Sequence, residues 1–321
     1  MLEVVEPGLL TTIQDAGRPD AVGLGVPAGG ACDPWSLRVA NALGGNGPWA
    51  PAVEITLAGP TLRVLADCRV GLAGADLDAR VQPGDQHFEP GTGRVLRHGE
   101  TVVFGAATPG TGVRAYLALE GGIDVPQVLG SASTCLVGRF GGMDGRPLAP
   151  GDVVRGRSDV FRSEEREWTW VGAFRPALEA TNRPLRILPG PNASVLAGGA
   201  FEQLLATEWM VSARGDRQGI RLDGPPLAVN PASAEMLSQG VVWGAIQLPP
   251  DGQPICLLAD RQTVGGYPVV AVVISADLPL LGQLGPADPV RFAPVSTDAA
   301  VQAQRDQEEL FSSSTRRLAA T

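Results

Sequence analysis

Glycine and proline set the limits on what this chain can fold into. There are 42 glycines and 28 prolines among 321 residues, more than a fifth of the sequence. Proline lacks a backbone donor and clashes with the preceding helical turn, and glycine loses the most backbone freedom on ordering. Long helices should be few, and short strands closed by turns should be many. Runs of that kind are Leu2–Val5, Leu62–Leu65, Arg69–Leu72, Thr101–Phe104, Arg114–Leu119, Arg186–Leu188, Val241–Leu248, Ile255–Leu258 and Val269–Ile274. Helical signals are sparse. Pro34–Leu43 has Asp33 as an N-cap, proline at its first position and Gly44 at its end. Ala193–Ala206 is a second candidate, interrupted by Gly198 and Gly199, and Ala232–Leu237 is a short third. Many strands with a few short helices point to a mainly β protein built from barrels or sandwiches.

The length suits two domains. LRILPGPN at Leu185–Asn192 echoes LEVVEPGL at the start, and LAPGDVVR (Leu148–Arg155) is echoed by LGPADPVRF (Leu284–Phe292). Two similar β units account for both echoes. We expect a first β-barrel subdomain over residues 1–175, including a charged, Trp-containing connection at Arg155–Arg183, and a second over 176–295. The polar stretch 296–321 reads as a frayed tail whose first part can form a helix.

Hydrophobic residues at 44% and charged residues at 18% predict a packed protein. The net charge of −9 disfavours nucleic acid as a partner. All 25 basic residues are arginine. Without lysine the chain forms no Schiff base, completes no Walker A loop and carries no covalent biotin. Cys32, Cys68, Cys135 and Cys256 stand apart, and His87 and His98 fit no zinc spacing, so no metal site is expected. Isolated cysteines suit a reducing compartment. The acidic N-terminus lacks a signal-peptide pattern and no apolar run could span a bilayer, which makes the cytoplasm the default location.

Four segments could carry chemistry. Gln14, Asp15 and Arg18 place an amide, a carboxylate and a guanidinium around one turn, and Arg18 can fork onto a carboxylate or phosphate. The Gly-rich run Gly23–Asp33 leads into the candidate helix but lacks the dinucleotide spacing, and Asp33 suits a helix cap. Pro249–Pro254 is a tight turn joining two strand-like runs, so a hairpin is expected. That hairpin delivers Asp260, Arg261, Gln262 and Thr263, then Gly265, Gly266 and Tyr267. Continued strand geometry would put Asp260 and Gln262 on one face and Arg261 and Thr263 on the other. Ser275 and Asp277 form a further polar strand end. Arg214–Arg221 holds three arginines in eight residues and reads equally as an anion site or an exposed charge patch. No GxSxG elbow supports a serine hydrolase.

These residues lie in longer motifs. TIQDAGRP, GLGVPAGGACDPWSLRVANAL, VEITLAGPTL, LALEGGIDVPQVLGSAST and GAIQLPPDGQPICLLADRQTVGGYPVVAVVISADLPLLGQL resemble the biotin-dependent carboxyltransferase / allophanate hydrolase subunit 2 family. Its members include the C component of bacterial 5-oxoprolinase (PxpC, KipA), to which the likeness is nearest, and the matching part of urea carboxylase. The resemblance runs from about Leu2 to Phe292. It implies two cyclophilin-like β-barrel subdomains, of carboxyltransferase subdomain A/B type, with a few short helices. It implies two partner chains, the KipI-like B component and the LamB/YcsF-like A component of 5-oxoprolinase, with ATP shared between chains. The hydrolase complex so formed opens the lactam of 5-oxoproline to L-glutamate. Two other roles come with the family: transfer of a carboxyl group from carboxybiotin to urea or a similar amide, and non-catalytic, KipA-like binding of a KipI-like protein.

Carried over by motif, the resemblance implies Asp260, Arg261, Gln262 and Asp15 as catalytic. It implies Gln14, Arg18, Gln247, Gly265, Gly266, Tyr267, Ser275 and Asp277 as substrate-binding, with Asp251 also matching. Arg18 or Arg261 would hold an anionic group, Asp15 or Asp260 would act as base or orient a cation, and Gln247 and Gln262 would recognise the amide. The chain departs from the usual pattern at Val269, where lysine is common, and at Ala132, where arginine is common. Both losses bear most on the carboxybiotin role.

Overall fold

Residues 1–157, 167–170, 183–230 and 236–320 are described by a computed structural model. Most of the Arg155–Arg183 connection and of the Ala232–Leu237 helix candidate falls outside them. The chain divides into two units. The first comprises Met1–Arg18, Gly29–Glu179 and Leu310–Thr321, and the second Pro19–Ala28 and Ala180–Glu309.

The first unit contains two six-stranded sheets and two apolar clusters among the described residues. One sheet runs Val153–Val154, Leu2–Glu6, Thr61–Val64, Thr101–Val103, Arg80–Gln82, Gln86–His87; the other runs Trp168–Thr169, Thr92–Leu96, Cys68–Gly74, Arg114–Leu119, Ala52–Thr56, Leu10–Gln14. Leu2 and Val4 point into the core while Glu3 and Val5 do not, the period of a half-buried strand. Arg114–Leu119 is buried along its whole length. Its second face is covered by helix α1 (Pro34–Leu43), which begins where the sequence places it: Asp33 accepts from Ser36 N at 2.9 Å. Gly71 permits that packing, because a Cβ there would lie 2.2 Å from Ala40 O.

The second unit is an eight-stranded sheet in the order Pro289–Val290, Trp209–Val211, Gly219–Asp223, Ile255–Leu257, Ala245–Gln247, Val269–Val273, Leu185–Pro189, Phe292–Pro294. Its two edge strands are separated in sequence by Arg291 alone, so the sheet nearly closes into a barrel. The expected hairpin is present, with Ile246 opposite Cys256 and Gln247 opposite Ile255. The Ala193–Ala206 candidate breaks where its glycines fall. A 3-10 turn covers Ala193–Val195, helix α2 covers Ala200–Ala206, and Gly199 between them has φ +80°. A third short helix, α3, spans Leu278–Leu281.

Both echoes have a structural basis. In each unit the closing phrase lies beside the opening strand: Val153–Val154 pairs with Leu2–Glu6, and Phe292–Pro294 with Leu185–Pro189. Each phrase also makes the same turn. Asp152 accepts from Ala149 N at 2.7 Å, and Asp288 accepts from Gly285 N at 2.7 Å. The pairing differs, antiparallel in the first unit and parallel in the second.

The stretch read as a frayed tail is instead a 24-residue helix, α4 (Thr297–Ala320). Its later residues belong to the first unit, where Phe311 meets Trp35 edge-on at 5.6 Å and Trp170 at 5.5 Å, with the Arg38 guanidinium 3.9 Å from its ring centre. Its earlier residues belong to the second unit, where Gln307 Nε2 donates to Ala276 O at 3.0 Å. Among the described residues no helix is long and apolar enough to cross a membrane.

Candidate functional site

In the first unit, Gln14, Asp15 and Arg18 follow strand Leu10–Gln14. Asp15 is buried and its carboxylate is fully engaged. Oδ1 accepts from Gly17 N (2.8 Å), Ser131 Oγ (2.6 Å) and Ser133 Oγ (2.6 Å), and Oδ2 accepts from Ala132 N (2.7 Å). Arg18, 2% exposed, donates to the carbonyls of Val128 and Ser133 and lies 4.9 Å from the Phe140 ring centre. Both charged residues therefore grip the segment 128–134. Within that segment Leu129 has a positive φ, a conformation that side chains resist unless the surroundings impose it. For Asp15 the expectation of a base gives way to a clamp, since four donors occupy its oxygens. Arg18 likewise turns its guanidinium onto carbonyls of its own chain.

Gln14 differs. Its Nε2 donates to Thr12 Oγ1 at 3.0 Å and Thr134 O at 3.4 Å. A carbonyl only accepts, so the amide nitrogen must face Thr134. Gln14 Oε1 is left buried with no hydrogen-bond partner among the described residues.

In the second unit, strand geometry ends at Leu257, so alternation does not govern Asp260–Thr263. Asp260 turns inward and takes a bidentate fork from Arg217, Nε to Oδ2 at 2.9 Å and Nη2 to Oδ1 at 3.1 Å, with both side chains buried. Asp260 N also donates to Arg217 O at 2.9 Å. The Arg214–Arg221 segment thus contributes a buried partner for Asp260. Arg214, in contrast, is exposed and lies 3.6 Å from Asp223. Asp277, expected to touch substrate, is also committed: Arg186 donates to it through its backbone N and two guanidinium nitrogens, and Arg183 lies 3.4 Å away. Ser275 is exposed at the start of the 3-10 turn Ser275–Asp277, and no hydrogen bond joins it or Asp277 to Gln247 or Gln262 among the described residues.

The structure does bring Gln247, Gln262, Gly265 and Tyr267 together. Gln262 Nε2 donates to Gln247 Oε1 at 3.4 Å, and Gln247 Nε2 donates to Tyr267 O at 3.4 Å. A Cβ on Gly265 would lie 2.5 Å from Gln247 Nε2 and 2.8 Å from Gln262 Nε2, so glycine lets the two amides approach the backbone. Gln247 is buried, while Gln262, Gly266 and Tyr267 are exposed. Arg261, next in chain to Gln262, donates through Nε to Val241 O at 3.3 Å. Burial lowers its pKa, and it makes no ion pair with a carboxylate among the described residues. A partly desolvated guanidinium of this kind suits an anionic ligand. Val269 is buried in an apolar cluster with Val241, Ala245 and Leu257. The roles of Arg217 and of Ser131 and Ser133 escape sequence reading because each acts on a residue far along the chain.

A strand-rich, near-closed barrel carrying amide and guanidinium groups beside a glycine loop defines a class. Residues 24–294 match the carboxyltransferase domain, subdomain A and B, and the chain belongs to that family. Over 97% of its length it is 37% identical to the C component of 5-oxoprolinase from Escherichia coli (strain K12), covering 96% of that protein. The solved structure of TTHA0988 has a TM-score of 0.77 and 37% identity across 91% of this chain, which spans 56% of that one. The structure of Kluyveromyces lactis urea amidolyase has a TM-score of 0.85 and 29% identity across 98% of this chain, which spans 20% of that protein.

Proposed function

We propose that this chain is the C component of an ATP-dependent 5-oxoprolinase complex, acting in the cytoplasm with a KipI-like B component and a LamB/YcsF-like A component. The observation that carries the reading is the 37% identity to the Escherichia coli protein, extending over 96% of its length. The chemistry of the second-unit cluster supports it. 5-Oxoproline has a carboxylate and a lactam. Arg261 holds the carboxylate, and Gln247 and Gln262 offer donor and acceptor groups to the lactam amide. A lactam resists water because its nitrogen lone pair is delocalised onto oxygen, so opening needs charge stabilised at that oxygen. Water then adds to the carbonyl carbon, the C–N bond breaks, and the nitrogen leaves with a proton to give L-glutamate. In this reading Asp15 and Asp260 hold the framework, and ATP is bound jointly with a partner chain.

The likeness to urea amidolyase supports a second reading, carboxyl transfer from carboxybiotin to urea or a similar amide. The apolar burial of Val269, where a lysine is usual, weighs against it. The deciding experiment combines the three purified proteins and follows ATP-dependent release of glutamate from 5-oxoproline. Turnover that continues unchanged when this chain is omitted rejects the proposal. Biotin-carrier-dependent carboxylation of urea, with no glutamate formed, establishes the second reading. Binding to a KipI-like protein with neither reaction establishes a regulator.

A further inference from the structure

Asn192 ends the Pro-Gly-Pro-Asn turn after strand Leu185–Pro189, and none of the chemistry above uses it. It occupies the N-cap position of the 3-10 turn Ala193–Val195, where asparagine ordinarily lends its side-chain oxygen to the first free N–H groups. Here it makes no capping bond. Its Oδ1 accepts instead from Val269 N at 2.9 Å and from Gln239 Nε2. A backbone N–H can only donate, so it is the oxygen of Asn192 that faces Val269. Asn192 N in turn donates to Val269 O at 3.0 Å, which brackets Val269 through both of its backbone groups. The turn is pressed onto this strand, since a Cβ on Gly190 would lie 2.2 Å from Val269 O.

The two groups that meet at this oxygen belong to one end of the glycine loop and to the strand paired with its other end. Gln239 is the strand partner of Gly265. Val269 is where the chain re-enters the barrel sheet after Tyr267, and it pairs there with Gln247. One acceptor atom therefore fixes the span across Gly265–Pro268, the segment against which the Gln247 and Gln262 amides lie.

We propose that Asn192 is the positioning residue of this loop, holding it in the shape that presents the amide pair and Arg261 to a ligand. Its part in catalysis rests on the 5-oxoprolinase reading; its pinning of the loop does not.

The test compares the full chain with Asn192→Ala and Asn192→Asp. Aspartate keeps the acceptor, exchanging an Nδ2 that makes no hydrogen bond among the described residues for a second oxygen and one negative charge on a half-buried side chain. By hydrogen–deuterium exchange, the alanine variant should exchange on the order of tenfold faster across residues 264–269, as expected when two hydrogen bonds are lost. Strands Ala245–Gln247 and Ile255–Leu257 should be unchanged, and the aspartate variant should match wild type. Unchanged exchange in the loop, or acceleration throughout the second unit, overturns the pin. In the assembled three-protein complex, alanine should raise KM for 5-oxoproline several-fold, with a smaller effect on kcat and recovery in aspartate. A loosened loop with unaltered KM and kcat overturns the positioning role. A wild-type complex that releases no glutamate rejects the 5-oxoprolinase reading, and with it the catalytic part, while exchange alone then decides the pin.

Discussion

Asp260 separates two physical pictures of the second-unit cluster, and Asp260→Asn distinguishes them. Arg217 is 3% exposed and Asp260 7%, and the two share a bidentate contact at 2.9 and 3.1 Å. Neutralising the carboxylate removes the charge paired with a guanidinium held away from water. Breaking a buried pair from one side costs about 3–5 kcal/mol. For a unit of this size each kcal/mol lowers the melting point by about 4 °C, so the loss should be about 10–20 °C. Calorimetry and urea unfolding read it directly. Converting both partners, Arg217→Met with Asp260→Leu, should recover most of the loss, because an apolar pair of similar volume leaves no uncompensated charge. If Asp260 were a proton carrier at an open site, Asp260→Asn would abolish turnover and leave unfolding within about 1 kcal/mol of wild type. That result refutes the framework role given to it here.

Three further outcomes are expected. Gly265→Ala should leave stability within about 1 kcal/mol, because the methyl presses on the ends of two side-chain amides and meets Val241 Cγ1 at an ordinary 3.4 Å, yet weaken binding of 5-oxoproline by about tenfold in titration calorimetry; unchanged affinity would remove the amide pair from the site. Arg146 and the Ala149 N–H hold the Asp152 carboxyl below the usual carboxylate range. The ionised form thus stabilises the fold above the unfolded-state pKa, and this is lost as pH falls through the lowered folded value. Asp152→Asn should be less stable than wild type at pH 7, with the gap closing in acid; a gap that persists there contradicts the linkage. Phe311→Ala should cost about 3–5 kcal/mol in denaturant unfolding, as for a buried aromatic ring; a loss under about 1 kcal/mol would mean that α4 is not anchored by this ring.

Local chemistry in the sequence was enough for what depends on neighbours in the chain. Asp33, Pro34 and Gly44 delimit α1 because capping and proline geometry act within one turn. The Pro249–Pro254 turn announces its hairpin, and Gly198–Gly199 splits the helix around them. The abundance of glycine and proline settles a mainly β fold in the same way. The last segment reads as a tail because its polar composition hides how few anchors a helix needs once Phe311 and Leu318 have a surface to join.

The fate of the carboxylates was decided only by tertiary structure. Asp15 meets Ser133 at a sequence separation of 118, Asp260 meets Arg217 at 43, and Asp277 meets Arg186 at 91. A side chain's type states what it can bond to; whether that capacity is spent depends on which distant strand end arrives beside it. Three acids that look reactive in the sequence are consumed in holding loops and strands. The residues with capacity to spare, Arg261 and Gln14 Oε1, are distinguished only by what the fold fails to place next to them among the described residues.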